Sequence, residues 1–223
     1  MKMLVQFPTK GRTSKFFETL DLWYSMIGCI DDCVFHIVID HFDYTMNNSG
    51  TLHKLSSYKN LFVSAIPEKP TKIKACNFNI DKFADFDIII LASDDMIPKQ
   101  NNFGDIVRRN MSEYYPNLDG CLWYNDGNQM NICTMPVMGR KYYDAFGYIY
   151  HPSYVTMWAD NEYTIVAQKT NKVTYFQNCI VKHDHPCYNP NIIKDQTYID
   201  NDAGQGDDGK VFNVRRLNNF DIR

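Results

Sequence analysis

The sequence predicts an α/β protein built on a mostly parallel sheet. Short apolar runs rich in β-branched residues alternate with segments whose apolar residues recur at helical spacing. The run Ile88-Ile89-Ile90-Leu91 stops abruptly at Asp94-Asp95 and is closed by Pro98. Carboxylates at the carboxyl end of a buried parallel strand sit where such sheets place their ligands. From the pair alone, an Asp-rich turn after a core strand is an equally good reading.

Met3 to Phe7 is the first strand, followed by Pro8-Thr9-Lys10-Gly11-Arg12. A helix capped by Thr13 or Ser14 follows, with Phe16, Phe17, Leu20, Tyr24 and Ile27 on one face. Val34 to Ile39 is a strand ending at Asp40, followed by a polar loop over Asn47, Asn48, Ser49 and Gly50. Leu61 to Ser64 is the third strand, and Thr71 to Asn79 a helix carrying Lys72 and Lys74. After the Ile88 strand come strands at Cys121 to Tyr124 and Ile132 to Met138, then a helix from Arg140 to Phe146 stopped by Gly147. Asp160 to Gln168 is a helix, and Val173 to Val181 a strand leading into His183-Asp184-His185-Pro186. The Asp- and Gly-rich stretch from Asp200 to Gly209 reads as a mobile loop.

The 223 residues suffice for one domain with a substantial core, without repeats or a marked linker. A net charge of −3 gives no general pull toward nucleic acid or an anionic membrane. The seven cysteines are odd in number and lack a CxxC pair, so a complete disulfide framework is not expected. The opening apolar run is too short for a signal peptide, and no segment approaches the roughly 18 residues that cross a bilayer. A reduced, cytoplasmic protein is the expectation.

The polar candidates follow successive strands: Thr9 and Arg12, then Asp40, then Asp94 and Asp95, and last His183 and His185. In a doubly wound sheet these places converge on one edge. A hard divalent cation held by one or two carboxylates plus substrate phosphates is the usual use of such a pair. His183 and His185, one residue apart, point the same way in an extended segment; imidazole suits Mn or Zn, but no cysteine cluster completes a zinc site. Asp160 is a good helix cap and Glu162 suits the first turn, and either carboxylate beside a sugar cleft could serve as general base. Arg12, Lys72 and Lys74 could neutralise a diphosphate, Asp40 could accept from a nucleoside, and Trp123, Tyr124 and Trp158 could face a sugar or line the core. Gly11 belongs to no GxGxxG or Walker pattern, which disfavours a Rossmann dehydrogenase or a P-loop NTPase.

Taken in order from Met3 to Pro186, these residues resemble the GT-A glycosyltransferases, above all the broad inverting family that uses nucleoside-diphosphate sugars. Phe7 to Arg12 is similar to that family's first strand and its Pro-Thr-x-x-Arg turn. Ser93-Asp94-Asp95 is similar to its DxD element, Gly139 to Tyr143 with Trp158 to Glu162 to its acceptor segment, and Val181 to Pro186 to its late histidine element.

The resemblance implies a Rossmann-like α/β/α sandwich in one catalytic domain. Residues 1–98 would form the nucleotide-sugar half, 99–190 the acceptor and metal half, and 191–223 an extension. It implies that Thr9, Arg12, Asp40, Lys74 and Asp94 hold the donor, and that Asp95 with His185 or His183 binds Mn2+ or Mg2+. Asp160 is the implied base, with Glu162 in reserve.

Two positions depart from the pattern: Ser93 replaces the first acidic residue of DxD, and Ala159 replaces the Glu of the usual Glu-Asp pair. The Gln-x-x-Arg-Trp element of processive members is missing, which argues against a polysaccharide synthase. The expected activity is transfer of a sugar from a UDP-sugar, or a related donor, to a hydroxyl with inversion. The acceptor could be a glycan, a small molecule, a protein, or a modified base in phage DNA. The competing readings are a nucleotidyltransferase of similar fold and a nonenzymatic nucleotide- or carbohydrate-binding module.

Overall fold

The computed structural model describes residues 1–68 and 70–222. Strand β1 (Met3–Thr9) sends Met3, Val5 and Phe7 into one apolar layer and Leu4 into another, as the two-residue period of a strand requires. The layer on one face gathers α1 (Thr13–Met26), α2 (Ser49–Leu55) and α4 (Phe103–Tyr114). The other gathers α3 (Lys72–Asn77), α5 (Arg140–Phe146), α6 (Ala159–Lys169) and α8 (Gln205–Leu217). Helices on both faces explain why the central strands are apolar throughout instead of alternating.

The remaining strands are β2 (Cys33–Asp40), β3 (Leu61–Ile66), β4 (Ile88–Leu91), β5 (Met96–Pro98), β6 (Cys121–Tyr124), β7 (Val137–Gly139), β8 (Val173–Phe176) and β9 (Val181–His183). Seven of the nine form one sheet in the order β3-β2-β1-β4-β7-β6-β8. Strands β1 to β4 pair in parallel, β7 runs antiparallel to both neighbours, and β8 is parallel to β6. Because β1 lies between β2 and β4, the strand order reverses there. The crevice beyond the carboxyl ends of β1 and β4 is therefore the topological switch point where open α/β sheets bind ligands. A second, two-stranded sheet pairs β5 with β9 and places Met96 opposite His183.

Several sequence expectations need correction. The stretch from Asn47 to Gly50 is not a plain loop: the Asn48 side chain accepts from Thr51 N and caps α2. Ile132 to Pro136 contributes no strand residues; only Val137–Gly139 pairs. Val173 to Val181 is two strands in different sheets, broken at residues 177–180. On α1, Trp23 fills the core position while Tyr24 is only partly buried.

The tail expected to be mobile is helical, with α7 (Gln196–Ala203) followed by α8. Its order has a local cause. Asp208 is 1% exposed, and its carboxylate accepts from the backbone N–H groups of Val155, Thr156 and Met157 at 2.9, 2.7 and 2.7 Å. All seven cysteines are free. Among the described residues, no helix is long and apolar enough to cross a membrane.

Candidate active site

The turn after β4 is held from below by α1. Thr19 Oγ1 donates to Asp94 O at 2.8 Å, and Trp23 Nε1 donates to Met96 O at 2.8 Å. This fixes the main chain that carries the two carboxylates. From β9, Asp184 N donates to Asp95 O at 2.7 Å, so the small sheet clamps His183 beside Asp95. Asp94 and Asp95 are both buried, at 5% and 6% exposure.

Each carboxylate has its own partners. Asp94 receives Arg12 Nη1 at 2.9 Å and lies 3.5 Å from Thr9 Oγ1. Asp95 accepts from the Ser93 hydroxyl and from Tyr198 Oη at 2.9 Å, and its Oδ2 lies 3.6 Å from His183 Nε2. The two titrate in opposite directions. Burial and then the neighbouring Asp95 charge raise Asp94, against the pull of Arg12. Burial alone would raise Asp95, but attraction to His183 and the Ser93 hydroxyl hold it well below the usual carboxylate range. Burial would lower His183; the Asp95 charge outweighs it and raises the imidazole.

Arg12 reaches this cluster because Gly11, at φ +70°, turns the chain after β1 and donates its N–H to Asp43 at 2.7 Å. The Arg12 guanidinium then meets Asp94 on one side and Asp195 on the other. Asp40, at the end of β2, is buried; it accepts from Phe42 N at 2.9 Å and from Lys10 Nζ at 3.0 Å. The loop around it exposes Phe42 and Tyr44.

Asp40 pairs with Lys10 at the end of the neighbouring β2, and Thr9, Arg12, Asp94, Asp95, His183 and His185 come together at the switch point. Lys74 does not: it pairs with Glu68 at the surface. Lys72, also on α3, is a minor influence that works against the net rise of His183 and adds to the burial-driven fall of His185. The two imidazoles lie 5.2 Å apart, but only His183 remains in the strand.

Asp160 and Glu162 separate clearly. Helix α6 begins at Ala159 after Trp158, whose φ of +65° turns the chain, so Asp160 sits in the first turn and is not the cap. Its carboxylate accepts only from the adjacent Asn161 N, at 2.9 Å, among the described residues. Burial raises Cys76 to about 11, with Lys72 and Asp160 as small opposing influences. Asp160 also adds, behind burial, to the raised Tyr188 phenol.

Glu162, in contrast, is fully engaged. Arg215 of α8 binds it at 2.7 to 3.0 Å through Nε and Nη2, and Tyr154 Oη donates to it at 2.6 Å. That engagement ties α6 to α8 through Glu162. Glu162→Gln should cost about 3 kcal/mol by breaking a buried pair. In a melting experiment this lowers Tm by about 6 to 12 °C; donor turnover measured well below Tm should stay near wild type.

Lys15, Asp195 and Tyr198 were not singled out from the sequence. Lys15 lies one helical turn beyond Arg12, and its Nζ is 3.4 Å from Tyr198 Oη. Its spacing from Arg12 was a usable signal. Asp195 and Tyr198 belong to the tail helices, which sequence patterning had hidden.

A divalent cation is consistent with this donor set. Among the described residues His183 Nδ1 is buried without a hydrogen-bond partner, and the Nε2 to Oδ2 gap of 3.6 Å is longer than a hydrogen bond. Two ligands of one ion, each about 2.0 to 2.2 Å from it, leave such a gap. Among the described residues no cluster of three or more His, Cys, Asp or Glu side chains forms a closed metal site. An ion here would draw its other ligands from phosphate and water, as Mg2+ habitually does.

The sheet order, the switch-point crevice and the clamped carboxylate pair define a GT-A-like fold. No protein-family model matches the chain, and no curated protein sequence matches it. The structural likenesses are to glycosyltransferases. The mannosyltransferase PcManGT from Pyrobaculum calidifontis, solved in complex with GDP-Man and Mn2+, superposes with a TM-score of 0.67 at 11% identity, over 82% of this chain and 56% of that one. TarS of S. aureus gives 0.65 at 14% identity, over 83% of this chain and 37% of that one. TarS 1–349 in complex with UDP gives 0.64 at 14% identity, over 82% and 60%. The chain therefore spans 37% to 60% of the length of these structures. At such identities the likeness establishes the fold.

Proposed function

We propose that this chain is a metal-dependent glycosyltransferase that moves a hexose from a nucleoside-diphosphate sugar, UDP-linked in the first instance, to an acceptor hydroxyl with inversion. The observation that carries the reading is the Asp94–Asp95 pair at the switch point, with His183 on one side and Arg12 on the other. The fold shared with proteins solved with GDP-Man and Mn2+, and with UDP, supports it. On this reading residues 1–98 carry the donor half and residues 99–190 the acceptor and metal half.

Thr9, Arg12 and Asp94 hold the ribose and diphosphate, and Asp40 faces the nucleoside. Lys72 takes the diphosphate role first expected of Lys74. Asp95 and His183 hold Mn2+ or Mg2+, with His185 beside them. When bound, the ion neutralises the departing diphosphate, the main electrostatic task of the reaction. Asp160, free of other partners, accepts the proton of the acceptor hydroxyl as that oxygen attacks the anomeric carbon. The bond from the anomeric carbon to the diphosphate breaks, and its electron pair leaves with the nucleoside diphosphate. Lys15 and Lys72 add positive charge at that end of the site.

The test is donor turnover by the purified chain with UDP-, GDP- and TDP-sugars, in Mn2+, Mg2+ or EDTA. Release of nucleoside diphosphate from one donor, lost in EDTA, is the expected result. Release of pyrophosphate from a nucleoside triphosphate would assign a nucleotidyltransferase instead. No release, with no thermal stabilisation by any nucleotide, would leave a binding module of another ligand.

A further inference from the structure

We propose that α7 is a strap whose Asp195 and Tyr198 occupy the contacts of the donor, so that the chain by itself holds its diphosphate and cation site closed. The inference rests on the donor reading above and adds a regulatory state to it. Asp195 takes Arg12 in a fork: Nε to Oδ2 at 2.7 Å and Nη2 to Oδ1 at 2.6 Å. That is the geometry in which arginine takes a phosphate. With Nη1 committed to Asp94, all three guanidinium nitrogens are engaged.

Tyr198 does the same for the neighbouring groups. Its hydroxyl is 2.9 Å from Asp95 Oδ2, the oxygen that faces His183 Nε2. Its ring lies 3.9 Å beneath the Arg12 guanidinium and meets His185 edge-on at 4.9 Å. Lys15 Nζ is 3.4 Å from the same hydroxyl. One 5%-exposed side chain therefore touches an anion, two cations and an imidazole that the donor reading assigns to substrate or metal.

The strap forms for a local reason. Asp195 caps α7 by accepting from Tyr198 N at 3.2 Å, which sets the two residues one turn apart on the same face. Its other ties are polar: Thr156 Oγ1 donates to Asn201 O at 2.7 Å, Thr197 Oγ1 lies 3.4 Å from Lys10 O, and Asp202 pairs with Lys194. Tyr198 is the one residue of α7 that is buried, while Ile193 and Ile199 are exposed. An element with so few core contacts opens at low cost.

A lid designed to close over the donor would not bring a carboxylate to the phosphate-binding arginine, because like charges would then meet. The carboxylate substitutes for the phosphate, so the two compete. Apparent donor affinity is then the intrinsic affinity reduced by the fraction of chains with the strap open.

The experiment is calorimetric titration of UDP and of GDP, each with Mn2+, into the whole chain and its Asp195→Asn and Tyr198→Phe variants. Asparagine keeps the helix cap while removing the charge. We expect one nucleotide to bind Asp195→Asn about tenfold more tightly than wild type, and Tyr198→Phe several-fold more tightly. Amide exchange over residues 195–203 should rise when UDP or GDP and Mn2+ are added. Weaker binding by Asp195→Asn, unchanged affinity in both variants, or slower exchange on ligand addition would overturn the strap while leaving the donor reading in place. Binding of neither nucleotide to any of the three proteins would overturn both.

Discussion

Asp95→Asn should lose at least about 100-fold of the metal-dependent release of nucleoside diphosphate while keeping the fold. The substitution is nearly isosteric, and the amide oxygen can still accept from Ser93 or Tyr198. What it removes is the negative charge that faces His183 and that, on the proposed reading, would face a cation. It also removes the second influence, after burial, that raises Asp94, so Asp94 should move down. The loss of one buried like-charge contact and of one attractive pair partly offset each other, and Tm should move little. The measurement is release rate against Mn2+ concentration, with a melting curve alongside. A variant that turns over at the wild-type rate would end the metal assignment to Asp95, and with it the role given to His183.

Asp160→Asn should reduce donor turnover by about 100- to 10,000-fold, the usual worth of a positioned general base. Binding of the nucleoside diphosphate should be unchanged. The reasoning is one of availability. Among the described residues the Asp160 carboxylate has no partner beyond its own turn, whereas Glu162 two residues on is tied to Arg215 and Tyr154. Single-turnover release and calorimetry on the same variant separate chemistry from binding. Full activity in Asp160→Asn together with loss in Glu162→Gln would reverse the assignment, and would also show that the Arg215 pair opens during the reaction.

Much of the fold was legible because both of its periods are local. The alternation of apolar strands and helically spaced apolar residues follows from covering both faces of a parallel sheet, and β1 to β4 fell close to where the pattern put them. Helix α4 was not picked out, although Phe103, Val107 and Met111 repeat every four residues and are all buried. The tail misled for a different reason. Gly204, Gly206 and Gly209 among aspartates look like a loop, yet Asp208 is buried against three backbone N–H groups some fifty residues earlier in the chain. A partner so distant leaves no trace in local spacing.

The candidate site divides the same way. Thr9, Arg12, Asp94, Asp95 and His183 each end or follow a strand, so the sequence by itself determined which residues gather at the carboxyl edge of the sheet. Only the tertiary structure decided what they do to one another. It set His183 rather than His185 in the strand facing Asp95, paired Lys74 with Glu68 at the surface, and tied Glu162 to Arg215 while Asp160 accepts only from Asn161 N among the described residues. It also laid Asp195 and Tyr198 across the arginine and carboxylate they meet. The Arg12–Asp195 and Asp95–Tyr198 contacts join side chains more than a hundred positions apart, and the Glu162–Arg215 pair spans 53. Strand and helix periods report which face a residue occupies; only packing selects its partner across the crevice.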